Sequence, residues 1–314
     1  MKDHFQEVVD GNTAGSPMKA GHKWTHLKPR EISKRLKKRG AAVSVYLVKQ
    51  LLSHFGYRRR KLYKGHSLKD VKDRNEQFEN ISILKNAFLN RGLPMLSIDT
   101  KKKELLGNYY RDGTHYGQRP RKVYDHDFTS LATGLVIPHG IYDIAQNRGY
   151  LTLGTSKDTS EFVCDNIEYF WRNELQYIYT EADHILLLCD AGGSNSARHY
   201  LVKQDLYKLA QRLQLNIIVA HYPAYCSKWN PIEHRLFCHL THAWQGVVFD
   251  DINIVKELAE KATTKTGLSV NVWINPKTYN INRSVNHGFK NNIRKYVNFF
   301  EVLPKWNYAI QYAS

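Results

Sequence analysis

Residues 184–195 read HILLLCDAGGSN, and this stretch decides the fold. Its apolar run shows no polar alternation, which is the pattern of a strand buried on both faces between layers of helices. The run stops at Asp190, and a glycine pair follows. Upstream, PMLSIDT (94–100) is a second apolar strand that stops at Asp99. Downstream, a helix over about 196–213 leads to a third strand, NIIVAHYP (216–223). A further helix opens at Asn230 within SKWNPIEHRLF (227–237), with Glu233 in its first turn.

Between the first two acids, residues 131–155 form two strands joined by a turn at Asn147, Arg148 and Gly149, and these would pair antiparallel. Residues 156–175 then carry Phe162, Ile167, Phe170 and Trp171 at helical spacing. The order is strand, two strands, helix, strand, helix, strand, helix. It predicts an α/β fold with an RNase H-like mixed sheet whose parallel core carries a site at its strand ends. Asp99 and Asp190 are separated by 90 residues, and Asp190 and Glu233 by 42, so only tertiary structure can bring them together.

The rest of the chain is basic. Its formal charge is +17, and residues 1–75 hold 19 Lys or Arg against 6 Asp or Glu. Such an excess suits nucleic acid or an anionic membrane, and the absence of an apolar signal core or of 18 consecutive apolar residues leaves nucleic acid. Four cysteines, with no C-x-x-C pair, indicate neither a disulfide framework nor a zinc ribbon and suit a reducing, cytoplasmic compartment. Residues 11–27 read as a flexible lead-in, with structure beginning at Lys28. A basic helix from Pro29 stops at Gly40, and Ser44 caps a second helix that buries Leu47, Val48, Leu51, Leu52 and Phe55 and ends at Gly56. This spacing predicts a small all-α helix-turn-helix domain preceding the sheet, with Lys49, Gln50, His54, Arg58, Arg59, Arg60 and Lys61 as its DNA-binding residues. A basic hairpin that merely packs on the larger domain is the plain alternative. The expected divisions are 1–61 for this region, 62–92 for a linker and helix, 93–250 for the catalytic sheet and 251–314 for an extension packing on it.

An acidic cluster in a basic protein suits metal-dependent chemistry on phosphodiesters. Two divalent ions roughly 3.5–4 Å apart can activate an attacking oxygen and stabilise a leaving one. Mg²⁺ asks for hard carboxylate oxygens, so Asp99 would bridge two ions, with Asp190 and Glu233 each completing one side. Each acid also has a structural reading. Asp99 and Asp190 can simply end strands, and Asn230, Pro231 and Glu233 have the spacing of a capping box. The glycines after Asp190 lack the lysine of a phosphate-binding loop and are read as room for DNA. His234, Cys238 and His242 fall on one helix face but lack a fourth zinc ligand, so a packed helix face with one or two DNA-facing imidazoles is the simpler reading. Lys228 and Trp229 could contact phosphate and stack on a base.

Several segments carry a closer likeness. SIDTKKKELLGNY, YDHDFTSLATGLVIPHGIYD, NRGYLTLGTSKDTSEF, CDAGGSNSARHYL, HYPAYCSKWNPIEHRLF and TTKTGL together resemble DDE transposases of the ISAzo type, the Rhodopirellula-type transposase DDE domain. The resemblance implies that Asp99, Asp190 and Glu233 are the DDE triad, and that Asp125, His126, Asp127, His221, Lys228 and Trp229 lie near the site. It implies transposition of an insertion sequence with two Mg²⁺ or Mn²⁺ ions, on double-stranded DNA from element ends and target, by a chain that assembles at least as a dimer there. Family members usually extend further upstream, so a 5′-truncated reading frame is a further expectation. The alternatives are a decayed or domesticated transposase that only binds DNA, and a stand-alone RNase H-like nuclease.

Overall fold

The computed structural model describes residues 2–11, 13–15, 23–60 and 71–312. The chain divides into two compact units, Met1–Leu68 and Lys69–Ser314.

The first unit begins earlier than the sequence suggests. Helix α1 (Lys2–Asp10) buries Phe5, Val8 and Val9, and strands β1 (Thr13–Gly15) and β2 (Lys23–Thr25) pair antiparallel where a flexible lead-in was expected. The unit is therefore not all-α. Helix α2 (Pro29–Lys38) starts with proline at its first position, where a missing N–H costs nothing, and the Lys28 N–H donates to Glu31 at 2.6 Å. Helix α3 (Val45–His54) is capped by Ser44, whose hydroxyl accepts from the Leu47 N–H at 3.2 Å. One small core unites the three helices: Phe5, Val8 and Val9 from α1, Ile32 and Leu36 from α2, Val48 and Leu51 from α3. Local periodicity found α2 and α3, but α1 has only two apolar turns and acquires its stability by closing this core. Lys61 and most of the expected linker fall outside the described residues.

In the second unit, helix α4 (Arg74–Asn90) leads into β3 (Met95–Thr100), β4 (Glu104–Leu106), β5 (Gly134–Asp143) and β6 (Arg148–Gly154). Helix α5 (Ser160–Phe170) continues through a π turn at Trp171–Leu175 into the short α6 (Gln176–Ile178). Then come β7 (His184–Cys189), α7 (Tyr200–Leu213), β8 (Asn216–His221), a π turn at Glu233–Phe237, α8 (Cys238–Trp244), α9 (Ile252–Glu260) and β9 (Ser269–Asn275). Helix α10 (His287–Asn291) and strands β10 (Val297–Phe299) and β11 (Asn307–Ile310) finish the chain. The main sheet runs β10-β11-β8-β7-β3-β5-β6-β9, with β4 beside β5. Strands β3, β7 and β8 are parallel, whereas β5 is antiparallel to both β3 and β6. The fold is thus the expected α/β fold with a mixed sheet and a parallel core. Residues 251–314, read as an extension, supply a strand to one edge and two to the other.

The layers explain the unbroken apolar run of β7. Ile185, Leu187 and Cys189 pack with α5 and α7 on one face, while Leu186 and Leu188 pack with α4 on the other. Strands β5 and β6 send Val136, Tyr142, Leu151 and Leu153 against α8 and α9, and Ile141 and Tyr150 towards α5.

Candidate active site

Ile98 of β3 pairs with Cys189 of the parallel β7, so Asp99 and Asp190 follow at the same level on neighbouring strands. This is the carboxyl end of the parallel core, where open α/β sheets leave a crevice. Glu233 reaches the same place although 42 residues separate it from Asp190. Two devices deliver it. Asn230 does not close a capping box: Ser97 donates its hydroxyl to Asn230 Oδ1 at 2.5 Å, and the Asn230 amide donates to the Ile98 carbonyl at 3.3 Å. Ser97 also accepts the Ile232 N–H at 3.0 Å, so the helix start is bound to the strand that carries Asp99. The second device is a flat landing area. A Cβ on Gly140, the cross-strand partner of Asp99, would lie 2.6 Å from Phe237 Cε1 and 2.8 Å from Ile232 Cδ1. On β6, a Cβ on Gly149 would lie 2.5 Å from Leu236 Cδ1. Only the bare backbone lets the helix settle this close.

The acids feel one another. Burial, then the Asp190 carboxylate, then Glu233 and Asp158 push Asp99 up to about 7, opposed by the Thr100 N–H that donates to its Oδ1 at 2.8 Å. Asp190 is raised by burial and by Asp158, against one hydrogen bond from the Gly192 N–H. Glu233 is raised by burial and Asp190, but Lys101 opposes the shift. Asp158 was missed by sequence reasoning, which read SKDTSEF only as a helix start. Thr159, next to it, does cap α5, accepting from the Phe162 N–H at 3.2 Å. Lys101, two residues beyond Asp99, carries no local sequence signal that sets it apart from Lys102 and Lys103. It is half-buried, 3.7 Å from Glu104, with its ammonium 5.1 Å from the centre of the Trp244 ring.

His221 is a strut. It is buried, held down to about 4 by desolvation, with Nδ1 2.8 Å from the Asp190 carbonyl and Nε2 3.2 Å from the Tyr308 hydroxyl. Lys203, equally buried, donates to the Ala197 carbonyl and so holds the far end of the Asp190 loop. Lys228 and Trp229 sit in an exposed turn just before Asn230, with the ammonium 5.5 Å from the indole centre and the indole edge-on to Phe78. Asp125, His126 and Asp127 lie in an exposed stretch, where Asp125 and His126 pair at 3.3 Å and Asp127 acts on Tyr109 and Arg111. The helix packs through Leu236, Phe237, Leu240 and Trp244, and His234, Cys238 and His242 form an outward row on its exposed side. Lys49, Gln50, His54, Arg58, Arg59 and Arg60 are exposed in the first unit.

Four carboxylates around one strand end, with one lysine at one side, are a donor set of hard oxygens suited to a divalent cation of the Mg²⁺ type. Among the described residues no three His, Cys, Asp or Glu side chains are gathered tightly enough to hold an ion as they stand. No helix among those residues is long and apolar enough to cross a membrane.

Comparison with known proteins places residues 4–312 on the model of the Rhodopirellula transposase DDE domain. Solved structures with a similar fold include the Mos1 transposase paired-end complex with left transposon end, at 16% identity and a TM-score of 0.45, covering 82% of this chain and 69% of that one. The Mos1 strand transfer complex gives 17% identity and a TM-score of 0.46, covering 82% and 68%. The mariner Mos1 paired end complex with Mg gives 17% and 0.47, covering 82% and 69%. No curated protein matches the chain.

Proposed function

The chain belongs to the Rhodopirellula transposase DDE domain family, and on that premise we propose that it cleaves DNA at the ends of an insertion sequence and joins them to target DNA. Asp99, Asp190 and Glu233 are the residues that would hold two Mg²⁺ or Mn²⁺ ions. The observation that carries this reading is the register of Ile98 with Cys189, which sets two carboxylates side by side, together with the Ser97–Asn230 bond that brings the third. Bound cations would supply the charge that activates the attacking oxygen and steadies the leaving one. The protein's own part is to hold the acids on rigid strand ends and to keep that end open for a phosphate through the glycines after Asp190.

The first unit is the DNA-reading part of this proposal. Its helix α3 presents Lys49, Gln50 and His54 outward, and Arg58, Arg59 and Arg60 follow, an arrangement suited to a groove and its phosphates. Lys228 and Trp229 would meet DNA beside the acids, the ring stacking on a base. The test is Asp190→Asn on DNA carrying the element's own ends. We expect duplex binding to persist while Mg²⁺-dependent nicking and joining both disappear. Undiminished nicking would overturn the assignment, and cutting without joining in the wild-type chain would mark a stand-alone nuclease.

A further inference from the structure

We propose that His221 and Tyr308 are positioning residues for Asp190, and that residues 305–308 are the part of the fold that aims this acid. The inference rests on the reading of Asp190 as one of the reacting acids. Strand β7 ends at Cys189, the partner of His221 at the last position of β8, so Asp190 stands one residue past the ladder. A side chain holds it there. His221 Nδ1 lies 2.8 Å from the Asp190 carbonyl, and because a carbonyl can only accept, the ring carries its proton on Nδ1. Nε2 is then an acceptor. The Tyr308 hydroxyl, 3.2 Å away, donates to it. This directed chain of two hydrogen bonds fixes the rotation of the peptide that follows Asp190, and so the backbone from which the carboxylate projects. The same turn brings the Gly192 N–H within 3.3 Å of Asp190 Oδ1.

Tyr308 serves both ends of the loop after β7. Its hydroxyl acts at Asp190 through His221, and its ring lies 4.8 Å from the ammonium of Lys203, which donates to the Ala197 carbonyl. The segment that carries Tyr308 is itself pinned to the start of α4. Lys305 pairs with Asp73 at 3.0 Å, and Asn307 exchanges two amide hydrogen bonds with Gln77, at 2.7 and 2.8 Å. Both strands of this contact also grip the His221 backbone. Trp306 accepts its N–H at 3.0 Å, and the Gln77 amide donates to its carbonyl at 2.9 Å. Gln77, His221 and Asn307 are buried, where a connected polar network holds one arrangement rigidly. Apolar side chains could fill the same space, but only hydrogen bonds prefer one direction and so can set the rotation of a peptide.

The test uses the full chain. Nitrogen NMR of histidine-labelled wild type should find the His221 proton on Nδ1, and a proton on Nε2 would overturn the proposal. Tyr308→Phe deletes one hydroxyl and keeps the ring. It should slow Mg²⁺-dependent nicking at saturating DNA about tenfold, the scale found for groups that orient metal-site residues from behind, and leave the half-saturating DNA concentration unchanged. A pair of substitutions at 221 then separates direction from bulk. His221→Asn puts an amide N–H where Nδ1 stood, whereas His221→Gln fills the space better but reaches only the Nε2 position. The Asn variant should cut faster than the Gln variant; equal rates, or rates that follow volume, would make His221 a packing residue and overturn the proposal. Asp190→Asn distinguishes the two levels. If it abolishes nicking while Tyr308→Phe and both His221 variants cut at the wild-type rate, this inference alone fails. If nicking survives Asp190→Asn, the reading of the acid fails and the inference with it.

Discussion

Ser97 and Asn230, separated by 132 residues of chain, share a buried 2.5 Å hydrogen bond that joins the strand bearing Asp99 to the helix bearing Glu233. Both side chains are fully buried, and Ser97 simultaneously accepts the Ile232 N–H. Ser97→Ala leaves Asn230 Oδ1 and the Ile232 N–H short of a partner in a dry place. The expected cost is about 1–3 kcal/mol of stability. Urea denaturation of the second unit measures it. Nicking should fall further than the loss of folded protein explains, since Glu233 loses its tether.

Gly140 offers a sharper probe of the same placement. An alanine there would put Cβ against Phe237 and Ile232 within 2.6–2.8 Å. The helix must then lift from the sheet, at about 1–3 kcal/mol for an overpacked contact. Gly140→Ala should therefore fold with reduced stability and bind DNA normally through the first unit, while Mg²⁺-dependent nicking is lost. Thermal melting, a DNA-binding isotherm and a nicking assay together check the separation.

A pH dependence follows from Asp99. Its carboxyl is raised from an ordinary 3.8 to about 7 by burial and by Asp190. Between those values the folded chain keeps a proton that the unfolded chain releases, so the stability linked to this group is full at low pH and is lost as pH rises through 7. In EDTA, Asp99→Asn should escape that loss, and its melting temperature should move increasingly above wild type from about pH 5 to about pH 8. With Mg²⁺ the order should reverse, because the cation needs the deprotonated acid and only wild type offers it.

The basic run after α3 should act through phosphate alone. Replacing Arg58, Arg59 and Arg60 together by alanine removes three exposed cations. The slope of log affinity against log salt should fall by about 3, close to 0.9 for each phosphate that is no longer neutralised. Fluorescence anisotropy over a salt series reads this directly. Strand joining by preassembled complexes at low salt should be nearly unchanged.

Much of the second unit is legible in the chain because its signals are local. Apolar runs without alternation, a turn at Asn147 to Gly149 and a Ser44 cap each depend on residues a few positions apart, so β3, β5, β6, β7, β8 and α3 could be read in order. The acids at the ends of β3 and β7 were visible for the same reason. What could not be read depends on contacts across long separations. Helix α1 is held by Ile32, Leu36 and Val48, and β9, β10 and β11 are ordered by the edges they join. Asn230 has a cap's sequence and a tether's partner, because its Oδ1 accepts from Ser97, which only the fold brings near.

By itself, then, the sequence determined the central strands β3, β5, β6, β7 and β8 and that three acids sit where strands stop and a helix starts, since backbone preference and burial pattern are set by near neighbours. Only the tertiary structure decided that Thr100 links Asp99 to Asp158, that Lys101 acts on Glu233, and that Gly140 and Gly149 clear the ground for the helix. Those are matters of distance between remote parts of the chain, and charge and steric fit act through space without regard to sequence order.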